Sequence, residues 1–179
     1  MESSRPPLPP LRIARRNELD CLIAIDDDAC TLYDDVGRGV NLPPRHAAWA
    51  AAEQAQWREA IAAARVVVAV TEQDEPIAFA SSGFVDGDLH LQQLSVRRAW
   101  MRRGIGRALV EHAFHAAAGR AMWLTTYADI AWNRPLYERL GFACVSEADC
   151  GDEMRRILSA ERKNLPAPEK RVAMVRRGI

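Results

Sequence analysis

Residues 97–110, RRAWMRRGIGRALV, narrow the folds open to this chain more than any other stretch. Five arginines crowd around a Gly-Ile-Gly step, and an apolar run with helical spacing follows. Upstream the period is that of strands. IAFASSGFV (77–85) and LHLQQLSV (89–96) flank DGD (86–88), a hairpin turn signal, so the basic loop leaves an antiparallel meander and enters a helix. A dinucleotide fingerprint needs Gly-x-Gly-x-x-Gly at the opening of a βαβ unit. Here Leu109 takes the third position and the strand before the step ends a hairpin, so that pattern fails twice. The phosphate-loop lysine is absent as well. What remains is strand, tight basic loop and helix N-terminus, where orphan N–H groups and the helix dipole favour an anion. On its own the stretch also reads as a turn glycine beside a solvated arginine face.

The rest of the chain places this step in one domain. Residues 1–9 are Pro- and Ser-rich and read as a loose arm, with residues 10–179 forming a single domain. A short strand is expected over Leu11 to Ala14, then a helix capped by Asn17 and running toward Leu32. An Ala-rich helix follows from His46 to Ala64. Val66 to Val70 reads as a buried strand, and the hairpin comes next. Beyond the basic loop the expected order is helix (Gly104 to Ala118), strand (Met122 to Tyr127), short helix (Asn133 to Leu140), strand from Phe142, helix (153–163) and strand (171–177). The layout is α+β: a mixed, mostly antiparallel sheet with one parallel crossover, flanked by helices.

Composition bounds the function. Lys+Arg and Asp+Glu both total 24, so a dedicated nucleic-acid binder, which carries a basic excess, is disfavoured. Cys21, Cys30, Cys144 and Cys150 contain no Cys-x-x-Cys and sit near no histidine pair, so no metal is expected and free thiols in a reducing compartment are. No segment is apolar enough for a signal peptide or a membrane span, and a cytoplasmic protein is expected.

LSVRRAWMRRGIGRALV (94–110), followed by LTTYADIAWNRPLYERLGF (124–142), resembles the GNAT superfamily of acetyl-CoA-dependent N-acetyltransferases. The similarity is strong over about 89–145 and weak before residue 64. It implies a strongly twisted sheet splayed between its fourth and fifth strands to admit acetyl-CoA. By the same resemblance, the backbone of Leu94, Ser95 and Val96 pairs with the pantetheine arm. Main-chain N–H groups of Arg102, Arg103, Gly104, Ile105, Gly106 and Arg107 cradle the pyrophosphate. The family pattern is Gln/Arg-x-x-Gly-x-Gly/Ala. Aligned on Gly104 and Gly106 it puts Met101 where Arg or Gln is usual; a shifted frame from Arg103 to Ala108 satisfies it literally. The first frame is preferred because it keeps Leu109 at an apolar helix position.

The resemblance further implies that Asn133 contacts the cofactor and that Tyr137 protonates the departing thiolate. Four residues apart, the two share a helix face, and a phenol near the sulfur can donate a proton as charge develops. Outside this motif, a tyrosine before Glu and Arg on a short helix is usually packing. Related sequences carry Glu in a string like HIEQVSV; here HLQQLSV puts Gln92 at that position, and glutamine cannot take a proton. Another group or a water chain then acts as base, or the acceptor arrives with a lowered pKa. His90 projects to the same side as Gln92 in a regular strand, and also reads as a tip residue beside the DGD turn.

DDDACTLYDD (26–35) borders the region where such enzymes bind their acceptor. Asp26, Asp27, Asp28, Asp34 and Asp35 as a group favour a cationic amine, although each alone also reads as a solvated helix end. The expectation is direct acetyl transfer to a primary amine of a small molecule or peptide in a ternary complex. No nucleic acid, membrane or metal is expected. Many such proteins pair as dimers, which leaves a homodimer open. Gln92 keeps one alternative in play, a catalytically weak or inactive CoA-binding module.

Overall fold

The computed structural model describes residues 7–40 and 45–178. In chain order it has β1 (Leu11–Ile13), α1 (Leu19–Asp34), α2 (Arg45–Ala62), β2 (Val66–Val70), β3 (Pro76–Val85) and β4 (Asp88–Val96). After a 3₁₀ turn at Arg98–Trp100 come α3 (Ile105–Ala116), β5 (Met122–Tyr127), α4 (Arg134–Arg139), β6 (Ala143–Val145), α5 (Asp152–Asn164) and β7 (Arg171–Arg176). Most of the expected arm, residues 1–6, lies outside the described residues.

One seven-stranded sheet runs in the order β1-β2-β3-β4-β5-β7-β6. All its neighbours are antiparallel except β4 and β5. The VVVAV run of β2 is buried along its whole length because both faces of the sheet are covered. Val66, Val68 and Val70 pack with Leu22 and Ile25 of α1 and with Trp57 and Ile61 of α2. Val67 and Ala69 turn the other way, onto Ile105, Leu109 and Val110 of α3. At roughly 1.5–3 kcal/mol for each fully buried aliphatic side chain, this two-sided burial makes β2 and β3 the anchor of the domain.

Two irregularities shape the middle of the sheet. Ser81 pairs with Gln93 and Ser82 with Leu91, so Gln92 has no partner on β3 and forms a bulge. The parallel contact of β4 with β5 comprises only Leu89–Met122 and His90–Trp123. From Leu91 onward the two strands part, and the splay expected from the resemblance is present.

Three local expectations need correction. Glu18, not Asn17, flanks the first helix, because its carboxylate is drawn to Arg12 (2.7 Å) and to the Arg15 N–H (2.7 Å). The strand expected from Phe142 begins at Ala143. Gly141, left-handed at φ +86°, turns the chain so that the Phe142 N–H closes back on the Tyr137 carbonyl (3.0 Å) and its ring enters the core. His90 is not a turn-tip residue and lines neither cavity described below: it is buried within the sheet, and desolvation lowers its pKa to about 4.

Candidate functional site

The gap between β4 and β5 opens into two adjoining cavities. The first is a cleft of about 1070 Å³ empty volume, lined by Leu94, Ser95 and Val96, by the loop and first turn of α3, and by Leu136 and Tyr137. On one edge β4 is bonded to β3 through these residues; its other edge has lost β5 and faces the cleft. Arg102 (φ +63°) and Gly104 (φ +89°) tighten the loop, and Gly104 flanks the N-terminus of α3. The first turn then leaves the N–H groups of Ile105, Gly106 and Arg107 without intrahelical acceptors; Ala108 is the first to bond back, to the Gly104 carbonyl (3.0 Å). A Cβ on Gly106 would stand 3.7 Å from Leu94 and 3.8 Å from Val96, so the glycine keeps the helix start open toward β4. Such a cradle suits a phosphate joined to an extended chain. Leu109 is fully buried on the core face of α3.

Of the residues named for cofactor binding, Leu94, Ser95, Val96, Arg102, Gly104, Ile105, Gly106, Arg107, Asn133 and Tyr137 line this cleft. Arg103 does not. Its guanidinium stacks on Trp100, 4.7 Å from the ring centroid, and donates to the Ala99 carbonyl (3.1 Å).

The second cavity is a chamber with an empty volume of about 890 Å³, sharing Asp26, Tyr33, Leu94, Asn133 and Tyr137 with the cleft. Tyr137 therefore stands where the two meet. Its ring is braced edge-on by Phe142 (5.8 Å between centroids), and burial pushes its pKa up, so it stays a protonated phenol at neutral pH. Asn133 donates to the Tyr33 hydroxyl (3.1 Å). Gln92 also lines the chamber, but its Oε1 accepts from the Ser81 hydroxyl (3.2 Å) and its amide lies over Gly83, where a Cβ would come within 2.2 Å of Nε2.

The five aspartates of 26–35 separate in the structure. Asp26 alone lines the chamber. Its Oδ1 accepts from Ser95 Oγ (2.6 Å) and Gln93 Nε2 (2.7 Å), while burial raises its pKa. Asp28 instead accepts from the Arg98 N–H (2.7 Å), and Asp35 pairs with the Arg98 guanidinium, tying α1 to the start of the basic loop. Helical spacing scatters the remaining carboxylates around α1.

The chamber also contains residues that the sequence reading passed over. Glu53 enters from α2, and burial raises its pKa to about 8. Buried Arg171 pairs with Glu161 (2.8 Å) and donates to Thr125 Oγ1 (3.0 Å), which itself donates to Glu161 (2.6 Å). The guanidiniums of Arg38 and Arg171 lie 4.8 and 4.7 Å from the centroid of the Tyr127 ring. These residues come from α2, β5, α5, β7 and the loop after α1, and form no local motif. Among the described residues no cluster of His, Cys, Asp and Glu is arranged to hold a metal, and no helix is long and apolar enough to cross a membrane.

Comparison with known proteins bears on the whole arrangement. Similar folds include an N-acetyltransferase of Thermoplasma acidophilum in complex with coenzyme A, at 13% identity and TM-score 0.69, covering 94% of this chain and 98% of that one. Rv2747 of Mycobacterium tuberculosis, in complex with CoA and NLQ, aligns at 17% identity and TM-score 0.64 over 96% and 100%. A GNAT family acetyltransferase of Bacillus cereus aligns at 14% identity and TM-score 0.62 over 97% and 99%. At these identities the likeness is one of fold. The model of the acetyltransferase (GNAT) family matches residues 21–142, more than half of the chain, and so takes in most of α1, the β4 edge, the Gly-Ile-Gly loop and Tyr137. With the splayed sheet and the continuous cleft, that match makes this chain a member of the GNAT acetyltransferase family.

Proposed function

We propose that this protein transfers the acetyl group of acetyl-CoA to a primary amine of a small cationic acceptor, by direct transfer in a ternary complex. The observation that carries the reading is the meeting of the two cavities at Leu94 and Tyr137. Acetyl-CoA supplies an activated acyl group as a thioester. The unpaired edge of β4 at Leu94, Ser95 and Val96 binds the pantetheine arm as a strand would. The first-turn N–H groups of α3, aided by Arg102 and Arg107, hold the pyrophosphate. A backbone N–H near Leu94 polarises the carbonyl oxygen. Tyr137, held neutral by burial, gives a proton to the sulfur as the thioester bond breaks.

The chamber supports a cationic acceptor. Of its carboxylates, Glu161 is neutralised by Arg171, whereas Asp26 and Glu53 have no arginine partner among the described residues. Calorimetry with acetyl-CoA, followed by a thiol-release assay over a panel of primary amines, tests the reading. Micromolar cofactor binding with amine-dependent release of CoA is expected. The engaged side chain of Gln92 favours one other reading, a CoA-binding module without turnover. Tight binding with no amine-dependent release would establish it.

A further inference from the structure

Gln92 leaves the acceptor's proton without a taker on β4, and the opposite side of the transfer has a carboxylate in its place. Of the three acids lining the chamber, Asp26 is held by Ser95 and Gln93, and Glu161 by Arg171 and Thr125. Glu53 has neither of these partners; its side-chain hydrogen bond is with Trp49, one turn earlier on α2. It belongs to α2, which packs on α1, β3 and α5, and its carboxyl shares the chamber with Leu94 and Tyr137.

We propose that Glu53 is the proton acceptor for the incoming amine, with the Asp26 carboxyl, held by Ser95 and Gln93, receiving the ammonium beside it. The inference rests on the amine-acetylation reading above. One proton passes from the acceptor's ammonium to Glu53 Oε and on to water, which frees the nitrogen lone pair. The C–N bond then forms as the C–S bond breaks. The second proton lost by nitrogen balances the one that Tyr137 delivers to sulfur, so each ammonium consumed releases one net proton.

The surroundings of Glu53 suit that work. Desolvation is the main cause that raises its pKa to about 8, Asp26 of α1 and Glu161 of α5 add to the rise, and Trp49 and Arg171 of β7 oppose it. Cys30 of α1 also feels its charge, but burial keeps that thiol protonated. A base poised near the working pH is the efficient kind, and a docked ammonium favours its ionised form. Without acceptor, Glu53 is largely neutral at pH 7. Glu53 therefore adds no isolated buried charge until the cation arrives.

The test uses the full chain with 1,4-diaminobutane and lysine amide as acceptors. Titration of the glutamate-labelled protein by carboxyl ¹³C NMR should show a group near pKa 8 that is missing in Glu53→Gln. For the wild type, kcat/KM for the amine should rise with a limb near pH 8. Glu53→Gln should lose that limb, follow the free-amine concentration and fall by about 10²-fold or more. Glu53→Asp should recover part of the loss, and acetyl-CoA affinity by calorimetry should stay within about twofold in both variants, which establishes that they fold. A Glu53→Gln protein that binds acetyl-CoA and keeps wild-type turnover to within about threefold at every pH overturns the assignment of Glu53 alone. A wild type that acetylates neither amine overturns the amine reading itself, and the role of Glu53 with it.

Discussion

The cleft and the chamber share one wall at Tyr137 but are built on different plans. The cleft draws about half of its lining from one segment, Leu94 to Arg107, with α1 and α4 closing it, and that segment presents main chain: a free strand edge and an uncapped helix start. The chamber assembles side chains from α1, α2, β4, β5, α4, α5 and β7. A site made of backbone depends on local conformation and tolerates change in its side chains. One made of side chains from distant elements depends on packing, and each member is expensive to remove.

Substitutions on the two sides should expose that difference. At the junction, Tyr137→Phe should lower amine-dependent CoA release by about 10²-fold or more while acetyl-CoA affinity by calorimetry changes little; unchanged turnover across pH would remove Tyr137 as the acid. In the chamber, Arg171→Met strands a buried Glu161, and a loss of roughly 3–5 kcal/mol in denaturant unfolding is expected. In the cleft, Gly104→Ala puts a Cβ on a left-handed residue at a strain of about 1–2 kcal/mol, visible both as a lower Tm and as weaker acetyl-CoA binding. Arg103→Ala should be the mildest, within about 0.5 kcal/mol for the fold, with acetyl-CoA affinity nearly unchanged because this arginine does not line the cleft and only backs the Trp100 ring that does. A large loss of affinity there would mean that side-chain charge, not backbone, holds the phosphates.

The same division explains what could be read from the chain before its fold was known. Strand and helix periods, the DGD hairpin, the Gly-Ile-Gly loop and the Asn133–Tyr137 pair are all local, and each element lies within a few residues of its expected bounds. The splay followed from family likeness, since no periodicity in β4 or β5 announces that their pairing stops after two residues. The bulge at Gln92 is equally silent, because HLQQLSV reads as a regular strand. In DDDACTLYDD the composition was visible but the facing was not: only the helix phase sends Asp26 to the chamber and Asp28 and Asp35 to Arg98. Glu53 sits in an Ala-rich helix that gives it no motif, and its place in the chamber appears only when α2 packs against α1, β3 and α5.

Two ladder pairs are a thin seam between the β1–β4 and the β5–β7–β6 parts of the sheet. Much of what joins them across the gap is the connection through α3. Amide protons along Leu91 to Val96 on the β5-facing edge should therefore exchange with solvent far faster than those of β2, even though both lie at the centre of the domain. A ligand lying along that edge supplies the missing rungs, and mass action then couples its occupancy to the unfolding of both parts. Cooperativity of the whole sheet thus becomes a property of the loaded protein, and exchange rates at the seam report on occupancy without any need for turnover.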